Sequence, residues 1–414
     1  MEMKKLRIAI IGGGAAGMIA SIVAARNGAQ VTVLEQLPRV GKKLLATGNG
    51  RCNITNINMG IEYFHGSNRD FAKTVIGRFN QKTTIEFFED LGIHCVVESG
   101  GKIFPASGQA SSVLDVLRFE MQQLGVVELC ESRAETIAYG KKGFKIRVKG
   151  KDTITADKVI LATGGKANPS LGANGSGYDL AKALGHKIIE PFPSLVKLKL
   201  DAPFLKSLSG AKINGEAAIE VDGKILRQEN GEILFANYGL SGPPILQLSR
   251  TAGEQLSMGK KVNIVLDLFP EMSLQEFEEL LEKRTSLRGD KPLAFSFVGL
   301  INKRFINVLL KEAGITDLHM PCRDITKSEL KAIANKMKRW IMVISGTQSW
   351  SEAQVTAGGV DVSQINPDTM ESKIVPGLYF AGEIIDIDGD CGGFNLQWAW
   401  SSGYIAGLSA SIKK

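Results

Sequence analysis

The sequence predicts an α/β protein, and three observations carry that prediction. Residues 6–35 read as a strand, a G-x-G-x-x-G turn, a helix and a second strand that ends in an acid, the pattern of a Rossmann-like nucleotide domain. Residues 195–268 change to alternating strands with turns at Asp222-Gly223, Asn230-Gly231 and 241–244, which are typical of antiparallel β structure. From Val355 onward the sequence is again rich in glycines and in predicted strands, as it is in the N-terminal region. We therefore expect a Rossmann-like domain formed by both ends of the chain and interrupted by a β-rich insert.

The N-terminal motif predicts a bound dinucleotide. Gly12, Gly14 and Gly17 allow a tight turn and a close approach of the backbone to a pyrophosphate, which the N-terminus of the following helix stabilises. Glu35 follows 18 residues after Gly17, where a carboxylate accepts hydrogen bonds from ribose hydroxyls and disfavours a 2′-phosphate. NAD and FAD both remain open at this point. The alternative is a glycine-rich helix start without a ligand.

Composition limits the class of protein. The 414 residues favour two or three domains, and five cysteines without a C-x-x-C indicate a reducing compartment. The first strand begins within six residues, which leaves no room for a signal segment, so we expect a cytoplasmic protein. The charge-free run from Ile8 to Ala25 is interrupted by glycines, which argues against a membrane span. A net charge of +7 favours anionic ligands without establishing nucleic-acid binding.

The middle of the chain divides further. Asp157–Gly165 reads as a strand with a glycine turn, followed by a loop over 174–179 and a helix over 180–185. Capping-box patterns at Ser273 and Thr326 open the helices of a small helical cap. The predicted domains are residues 1–193 with 346–414 for the nucleotide domain, 194–271 with 339–345 for a β-barrel-like insert, and 272–338 for the cap.

The first cap helix is acidic and the last is basic, with Lys331, Lys336, Lys338 and Arg339. The simplest interpretation is a pair of solvated helix faces, and the alternative is a docking surface.

The C-terminal segment Gly377–Gly407 favours FAD over NAD, because a simple NAD domain needs no second nucleotide motif. Its first strand ends at Gly382-Glu383, where backbone and carboxylate could meet a ribitol chain. Gly392 and Gly393 lead into a helix that begins near Asn395, and its N-terminus would stabilise negative charge on reduced flavin. The alternative is an ordinary glycine loop before a core helix. For the tryptophans of that helix, Trp398 and Trp400, packing in the core is the favoured interpretation.

Six sequence blocks carry a resemblance to a known family: GGGAAG at 12–17, GKKLLATGNGRCNITN at 41–56, GGKIFPASGQASSVLDVL at 100–117, LATGG at 161–165, QVTAGGVDV at 354–362, and the segment 377–407. Over essentially its whole length the chain resembles the bacterial FAD-binding family that includes aminoacetone oxidase and a 3-dehydro-bile-acid reductase, related more distantly to the fumarate reductase flavoprotein. The resemblance implies a fold of the glutathione reductase and fumarate reductase type with non-covalent FAD.

The resemblance and the motifs together define the predicted cofactor-binding residues. They are Gly12, Gly14, Ala15, Ala16, Gly17, Glu35, Gln36, Lys42, Lys43, Thr47, Gly48, Asn49, Gly50, Arg51, Cys52, Asn53, Ala134, Ala162, Thr163, Gly164, Gly165, Gly382, Glu383, Gly392, Gly393, Asn395 and Leu396. Three of them, Lys42, Lys43 and Arg51, offer positive charge to a diphosphate. The alternative for that block is a solvated basic loop.

Neither cysteines nor histidines define a catalytic centre. Cys52 has no partner at redox-motif spacing and is interpreted as a packing or flavin-contact residue, whereas Cys391 is the better candidate for reactivity. The histidines, at 65, 94, 186 and 319, have no metal-site spacing, so no metal is predicted. Arg51, Thr356 and the Phe104-Pro105 loop are candidates for the substrate side, although flavin packing is the favoured role for all three.

The predicted function is an FAD-dependent oxidoreductase that acts on a small organic substrate held over the flavin, under the inserted domain, with electrons passed to or from NAD(P)H or O2. No second G-x-G-x-x-G follows a strand, so a separate NAD(P)H domain is not supported and NAD(P)H would bind transiently. No nucleic acid or membrane partner is expected. Two alternatives remain: a flavin-containing RNA-modifying or RNA-binding protein, which should show clustered cations with exposed aromatics, and a non-catalytic redox-sensing flavoprotein.

Overall fold

The computed structural model describes residues 5–413, which divide into two compact units. The first unit takes the chain up to Phe192 together with the segment from Gln354, and the second is Pro193–Ala353. Each unit has its own core of buried apolar side chains. Among the described residues, no helix is both long and apolar enough to cross a membrane.

The β-strands of the described residues are, in chain order, β1 Arg7–Ile11, β2 Gln30–Leu34, β3 Thr55–Asn56, β4 Phe64–His65, β5 Cys95–Val97, β6 Lys102–Pro105, β7 Val127–Leu129, β8 Ala134–Gly140, β9 Gly143–Val148, β10 Ile154–Ala156, β11 Lys158–Leu161, β12 Ile188–Ser194, β13 Leu198–Leu200, β14 Lys212–Val221, β15 Lys224–Ala236, β16 Gly239–Ser241, β17 Asn263–Asp267, β18 Trp340–Thr347, β19 Val355–Val360, β20 Leu378–Phe380 and β21 Asp388–Gly389.

The α-helices are α1 Ala15–Arg26, α2 Arg69–Arg78, α3 Gln81–Asp90, α4 Ala110–Gln123, α5 Ser176–Ala183, α6 Leu205–Leu208, α7 Pro243–Ser257, α8 Leu274–Ser286, α9 Leu293–Ser296, α10 Lys303–Glu312, α11 Lys327–Lys338 and α12 Phe394–Ser411. Short 3-10 helices cover Leu44–Gly50, Ile61–Tyr63, Ser99–Gly101, Pro169–Leu171, Cys322–Asp324, Val362–Gln364 and Gly382–Ile384.

The first unit is built on a five-stranded sheet in the order β20-β11-β1-β2-β7. All of its strand pairs are parallel, and its central strands are short buried apolar runs, as expected when helices cover both faces. Helix α1 connects β1 to the parallel strand β2. The carboxyl ends of the strands therefore meet at one edge, where ligands bind in open α/β sheets.

Helix α12, from the far end of the sequence, packs closely on α1. The Cβ of any residue at position 403 would lie 2.5 Å from the carbonyl oxygen of Ala16 and would also overlap Ile19. A Cβ at Gly407 would overlap the carbonyl oxygen of Ala20. Two glycines one helical turn apart thus let the two backbones approach, and they join the ends of the chain in one domain.

Antiparallel strands complete the first unit. Strands β8, β9 and β10 form a three-stranded sheet, β5 and β3 flank β6, and β4 pairs with β21. The last pairing sets His65 opposite Asp388, so it brings a C-terminal loop onto the N-terminal part of the chain.

The second unit contains a closed antiparallel barrel in the strand order β13-β16-β15-β14-β17-β18. Asp222 and Gly223, both with positive φ, form the tight turn between β14 and β15. Helices α8 and α11 begin with the capping boxes that the sequence predicts at Ser273 and Thr326. The α/β fold class, with a Rossmann-like domain and a β-barrel insert, is thereby confirmed.

Two local predictions are wrong. The helix predicted over 180–185 begins at Ser176, because the Asn174 side chain accepts a hydrogen bond from the Ser176 amide at 3.1 Å and turns the loop into the helix. The turn predicted at Asn230-Gly231 lies inside β15, where Gly231 is paired with Gly215 of β14. Its φ of +149° and the neighbouring Pro244 explain the glycine there.

Candidate functional site

The glycine turn after β1 is fixed by backbone contacts. Gly12 donates its amide to the carbonyl of Leu34 at 2.8 Å, and Ala162 donates to the carbonyl of Ile11 at 2.8 Å. Gly12 has a φ of +106°, and a Cβ on it would lie 2.7 Å from the carbonyl carbon of Ala162. A Cβ on Gly17 would overlap the carbonyl oxygen of Gly12. Both positions therefore require glycine for packing.

Gly14 differs from these two glycines. It precedes α1 with a φ of −81°, and a Cβ built on it meets no atom within 4 Å. No side chain caps the N-terminus of α1, so the amides of its first turn, which begins with Ala15 and Ala16, have no side-chain acceptor. An open glycine beside an uncapped helix N-terminus fits an anionic group such as a pyrophosphate.

Glu35 lies at the end of β2 and is only 9% exposed. Its Oε2 accepts a hydrogen bond from the Gly13 amide at 2.9 Å, and its Oε1 accepts one from the Leu37 amide at 2.8 Å. Burial raises the pKa of the carboxyl, and these two backbone donors oppose that effect. Each oxygen keeps a further acceptor position, so the carboxylate can still accept hydroxyl groups of a ribose.

The loop that follows LATGG is tied to the region around Glu35. Gln36 donates its Nε2 to the carbonyl of Gly172 at 2.6 Å and accepts a bond from Asn174 at 3.2 Å. Lys42 donates its Nζ to the carbonyl of Ser170 at 3.2 Å. Both predicted residues thus hold the loop over 168–175 in place.

The segment 47–53 has an unusual backbone. Gly48, Asn49, Gly50 and Cys52 all have positive φ, and such strain in non-glycine residues is concentrated at functional sites. The Cys52 thiol is buried, which raises its pKa to about 12, so it packs and does not act as a nucleophile. The Oδ1 of Asn53 is a buried acceptor that has no hydrogen-bond partner among the described residues. A ligand with a donor group at this loop would satisfy it.

Two of the three predicted cations, Lys43 and Arg51, are already in ion pairs. Lys43 forms an ion pair with Glu383 at 2.7 Å. Arg51 forms a two-pronged pair with Glu98, and its guanidinium lies 4.2 Å from the ring centroid of Phe104. The geometry therefore gives no support to a diphosphate contact by Arg51, because its charge is balanced by Glu98.

Glu383 joins two of the predicted blocks. Besides Lys43, its carboxylate accepts the backbone amide of Thr356 at 2.8 Å. The Thr356 hydroxyl in turn accepts the amides of Lys166 and Ala167, which follow the LATGG turn. Thr356 thus supports that turn, and its predicted role in packing against the flavin stays a prediction.

Two further predicted groups complete this edge of the sheet. Ala162, Thr163, Gly164 and Gly165 follow the carboxyl end of β11, and Gly382, with φ +77°, follows β20 next to Ala16 of α1. Ala134 opens β8 two residues after Ser132, whose amide bonds to the carbonyl of Glu35 at 2.8 Å.

The loop before α12 is braced from several sides. Asn395 donates to the carbonyl of Gly389 at 2.6 Å and accepts its amide at 2.8 Å. Asn56 donates to the carbonyl of Gly392 at 2.9 Å, and a Cβ on Gly393 would lie 2.5 Å from the carbonyl oxygen of Thr55. No side chain caps the N-terminus of α12. The rigid loop and the uncapped helix fit the predicted contact with a flavin ring.

The residues that follow in α12 pack inward. Leu396 contacts the core of the unit, and Trp398 and Trp400 are 1% and 0% exposed, with their indole N–H groups bonded to the carbonyls of Gly382 and Ile54. The core interpretation of both tryptophans is confirmed.

Sequence reasoning missed a buried pair in the same loop. His65 and Asp390 are 8% and 4% exposed, and the His65 Nε2 lies 2.8 Å from an Asp390 carboxylate oxygen. One feature of the sequence could have indicated this pair. Three acidic residues, Asp386, Asp388 and Asp390, come shortly before Gly392 and Gly393. Within residues 5–413, no group of three or more His, Cys, Asp or Glu side chains is arranged to hold a metal ion.

Next to Asp390, Cys391 is exposed and is not part of a disulfide bond. Protein atoms packed around that thiol raise its pKa, and Lys102 opposes the shift. The thiol therefore stays protonated at neutral pH.

The sheet and the glycine turn define a Rossmann-type dinucleotide-binding protein. A family model described as HI0933-like protein Rossmann domain matches residues 6–409. The chain therefore belongs to the HI0933-like family.

Similar proteins extend this finding. The chain is 39% identical over 408 residues to a 3-dehydro-bile acid delta(4,6)-reductase of Clostridium scindens, covering 98% of this chain and 99% of the relative. It is 31% identical over 403 residues to a ribosomal RNA dihydrouridine synthase of Escherichia coli strain K12, covering 97% of each chain. With the family, these relatives make the chain a flavoprotein oxidoreductase. Because one of these relatives is named for an activity on ribosomal RNA, the expectation that this chain has no nucleic-acid partner is not supported.

Among solved structures, the open conformation of a flavocytochrome c3 fumarate reductase matches with a TM-score of 0.50 and 17% identity, covering 99% of this chain and 78% of that chain. At this identity the likeness shows the fold alone.

Proposed function

We propose that the chain is an FAD-dependent reductase that saturates a carbon–carbon double bond conjugated to a carbonyl group. The observation that carries this proposal is the chemistry shared by two relatives with very different substrates. A 3-dehydro-bile acid with a delta(4,6) system and the uracil ring of uridine both contain such a bond. A single reaction, the reduction of this double bond, then accounts for the activities that both relatives are named for.

FAD fits the residues present. The uncapped α1 helix and the open Gly14 would hold the pyrophosphate, Glu35 the ribose, and the segment 47–53 with Gly392 and Gly393 the ring system. The unsatisfied Oδ1 of Asn53 is a further acceptor for a bound group. These roles remain proposals for each residue, and they rest on the fit of the donor and acceptor groups.

The reaction needs one hydride and one proton. The carbon β to the carbonyl would take the hydride and the carbon α to the carbonyl would take the proton. FAD, when bound in its reduced form, would supply the hydride chemistry, and NAD(P)H would be the source of the electrons. A cytoplasmic location, where NAD(P)H is available and thiols stay reduced, is part of this proposal. Cys391 is our proposed proton donor, because it is exposed and directly precedes Gly392 and Gly393, which we assign to the ring system of the flavin.

Replacing Cys391 tests that assignment. Cys391→Ala is expected to lower kcat for double-bond reduction by about 10²-fold to 10⁴-fold, the usual contribution of a general acid, while FAD affinity is unchanged. Stopped-flow measurement of flavin reoxidation by the substrate gives the rate of this step directly.

Cys95→Ala is the matched control, since burial raises the pKa of that thiol too, to about 11, but it lies on β5. Equal rates for Cys391→Ala and wild type would remove Cys391 from the mechanism.

The whole proposal is tested by spectroscopy and product mass. Purified protein should be yellow, should bleach anaerobically with NADH or NADPH, and should regain colour when a 3-oxo-4,6-diene bile acid or unmodified ribosomal RNA is added. The product should gain two hydrogen atoms. A colourless protein that rejects added FAD contradicts the cofactor, and oxidation of amines without any double-bond reduction would identify an oxidase instead.

A further inference from the structure

The three-stranded sheet β8–β10 carries most of the charge excess of the protein. From Arg133 to the end of β10 at Ala156 there are seven cationic and two acidic side chains, an excess of five in a chain whose formal net charge is +7. All seven cations are exposed: Arg133, Lys141, Lys142, Lys145, Arg147, Lys149 and Lys151. We call this group the basic sheet surface.

The alternation of β9 explains why these cations form a surface. Phe144, Ile146 and Val148 point into the core and are at most 2% exposed, so Lys145 and Arg147 between them point outward. Residues two apart on a strand are separated by about 7 Å, which gives a regular row of charge. Lys149 continues the row, and its amide bonds to the carbonyl of Arg133 at the edge of β8.

Most cations of this surface form no ion pair within residues 5–413, and Lys151 donates its Nζ to the carbonyl of Cys130 and the hydroxyl of Ser132. Among the described residues, Arg147 alone of the seven pairs with a carboxylate, that of Glu135 at 3.3 Å. The basic end of α11, where the sequence suggested a docking surface, is different. Lys336 and Lys338 pair with Glu312 and Asp267, and Arg339 pairs with Glu220. In the described part of the chain, the sheet therefore carries more cations without an ion pair than the end of α11 does.

Two other features accompany the charge. Tyr139, at the turn end of the hairpin beside Lys141 and Lys142, is 48% exposed, and aromatic side chains next to cations are typical of surfaces that bind unpaired bases. A shallow depression on the same sheet is lined by Glu135, Arg147, Val148, Gly150, Lys151 and Asp152.

We propose that the basic sheet surface binds the phosphate backbone of an RNA substrate. A row of unpaired cations complements a polyanion whose charges repeat at short intervals. This inference rests on the proposed function, because it selects RNA among the substrates of the reductase. Phosphate contacts position a nucleic acid without reading its sequence, so the surface anchors the RNA and the flavin site selects the base.

The test uses the FAD-bound protein and a short fluorescein-labelled RNA hairpin in fluorescence anisotropy. Lys145→Glu with Lys149→Glu is expected to weaken binding by at least about tenfold at moderate salt, and to flatten the plot of log affinity against log salt by about two, one for each lost phosphate contact. Both side chains are exposed, so FAD content and reduction of the bile acid should not change.

Lys260→Glu with Lys261→Glu is the matched control. It makes the same change in charge at two exposed lysines of the second unit and should bind RNA nearly as the wild type does. Equal RNA affinity in the wild type and in the variant with Lys145→Glu and Lys149→Glu overturns the inference. Binding to phosphatidylserine vesicles without binding to RNA also overturns it. If the protein binds RNA but reduces neither substrate, the proposed function is contradicted, whereas the inference that the basic sheet surface binds RNA still holds.

Discussion

Gly14→Glu is expected to weaken FAD binding by roughly a thousandfold and to leave the fold intact. The substitution is compatible with the backbone, because Gly14 has a φ of −81° and a Cβ there meets no atom within 4 Å. The added carboxylate, however, enters the space beside the α1 N-terminus that we assign to the pyrophosphate. Two unit charges about 4 Å apart repel by about 4 kcal/mol at an effective dielectric constant near 20, which corresponds to roughly a thousandfold loss of affinity.

The measurement is the ratio of bound flavin to protein, with the melting temperature of the apo protein as the test of folding. Gly77→Glu is the matched control, since Gly77 lies on α2, is exposed, and likewise has no neighbour within 4 Å of its Cβ. Gly14→Gln separates charge from size and should lose less affinity. A Gly14→Glu protein that purifies with full FAD would show that the pyrophosphate does not pass Gly14.

The parts of the site that the sequence predicts are those fixed by neighbours in the chain. The turn of Gly12, Gly14 and Gly17 joins β1 directly to α1, and Glu35 lies at the end of the neighbouring strand β2. The pattern is therefore local in the sequence, even though Gly12 also packs against the distant Ala162. The same holds for the capping boxes at Ser273 and Thr326, where donor and acceptor are three residues apart.

The parts that the sequence did not predict depend on distant partners. His65 and Asp390 are 325 positions apart and meet only because β4 pairs with β21. The charge of Arg51 is balanced by Glu98, 47 positions away. For the same reason a basic stretch in the sequence did not reveal which cations stay unpaired. Whether a cation forms an ion pair depends on the tertiary structure. The cations at the end of α11 are paired, whereas most of those on the basic sheet surface are not.

Gly403→Ala is expected to destabilise the first unit by about 2 kcal/mol. The new Cβ would lie 2.5 Å from the carbonyl oxygen of Ala16 and overlap Ile19, so α12 has to move away from α1, and overpacking of this kind costs about 1–3 kcal/mol. The melting temperature should fall by about 4–8 °C. FAD affinity should fall as well, because the N-termini of both helices belong to the proposed cofactor site.

Gly77→Ala is the same substitution at another helix position, and it is expected to change the stability of the protein in the opposite direction. Gly77 is inside α2 with open space around its Cβ, so alanine should stabilise the protein by about 0.5–1 kcal/mol through its better helix propensity. The comparison separates helix propensity from helix packing, since propensity alone predicts stabilisation at both positions. If Gly403→Ala melts at or above the wild-type temperature, the close contact between α1 and α12 does not hold the two ends of the chain together. The proposal that these ends jointly bind FAD would then lose its structural basis.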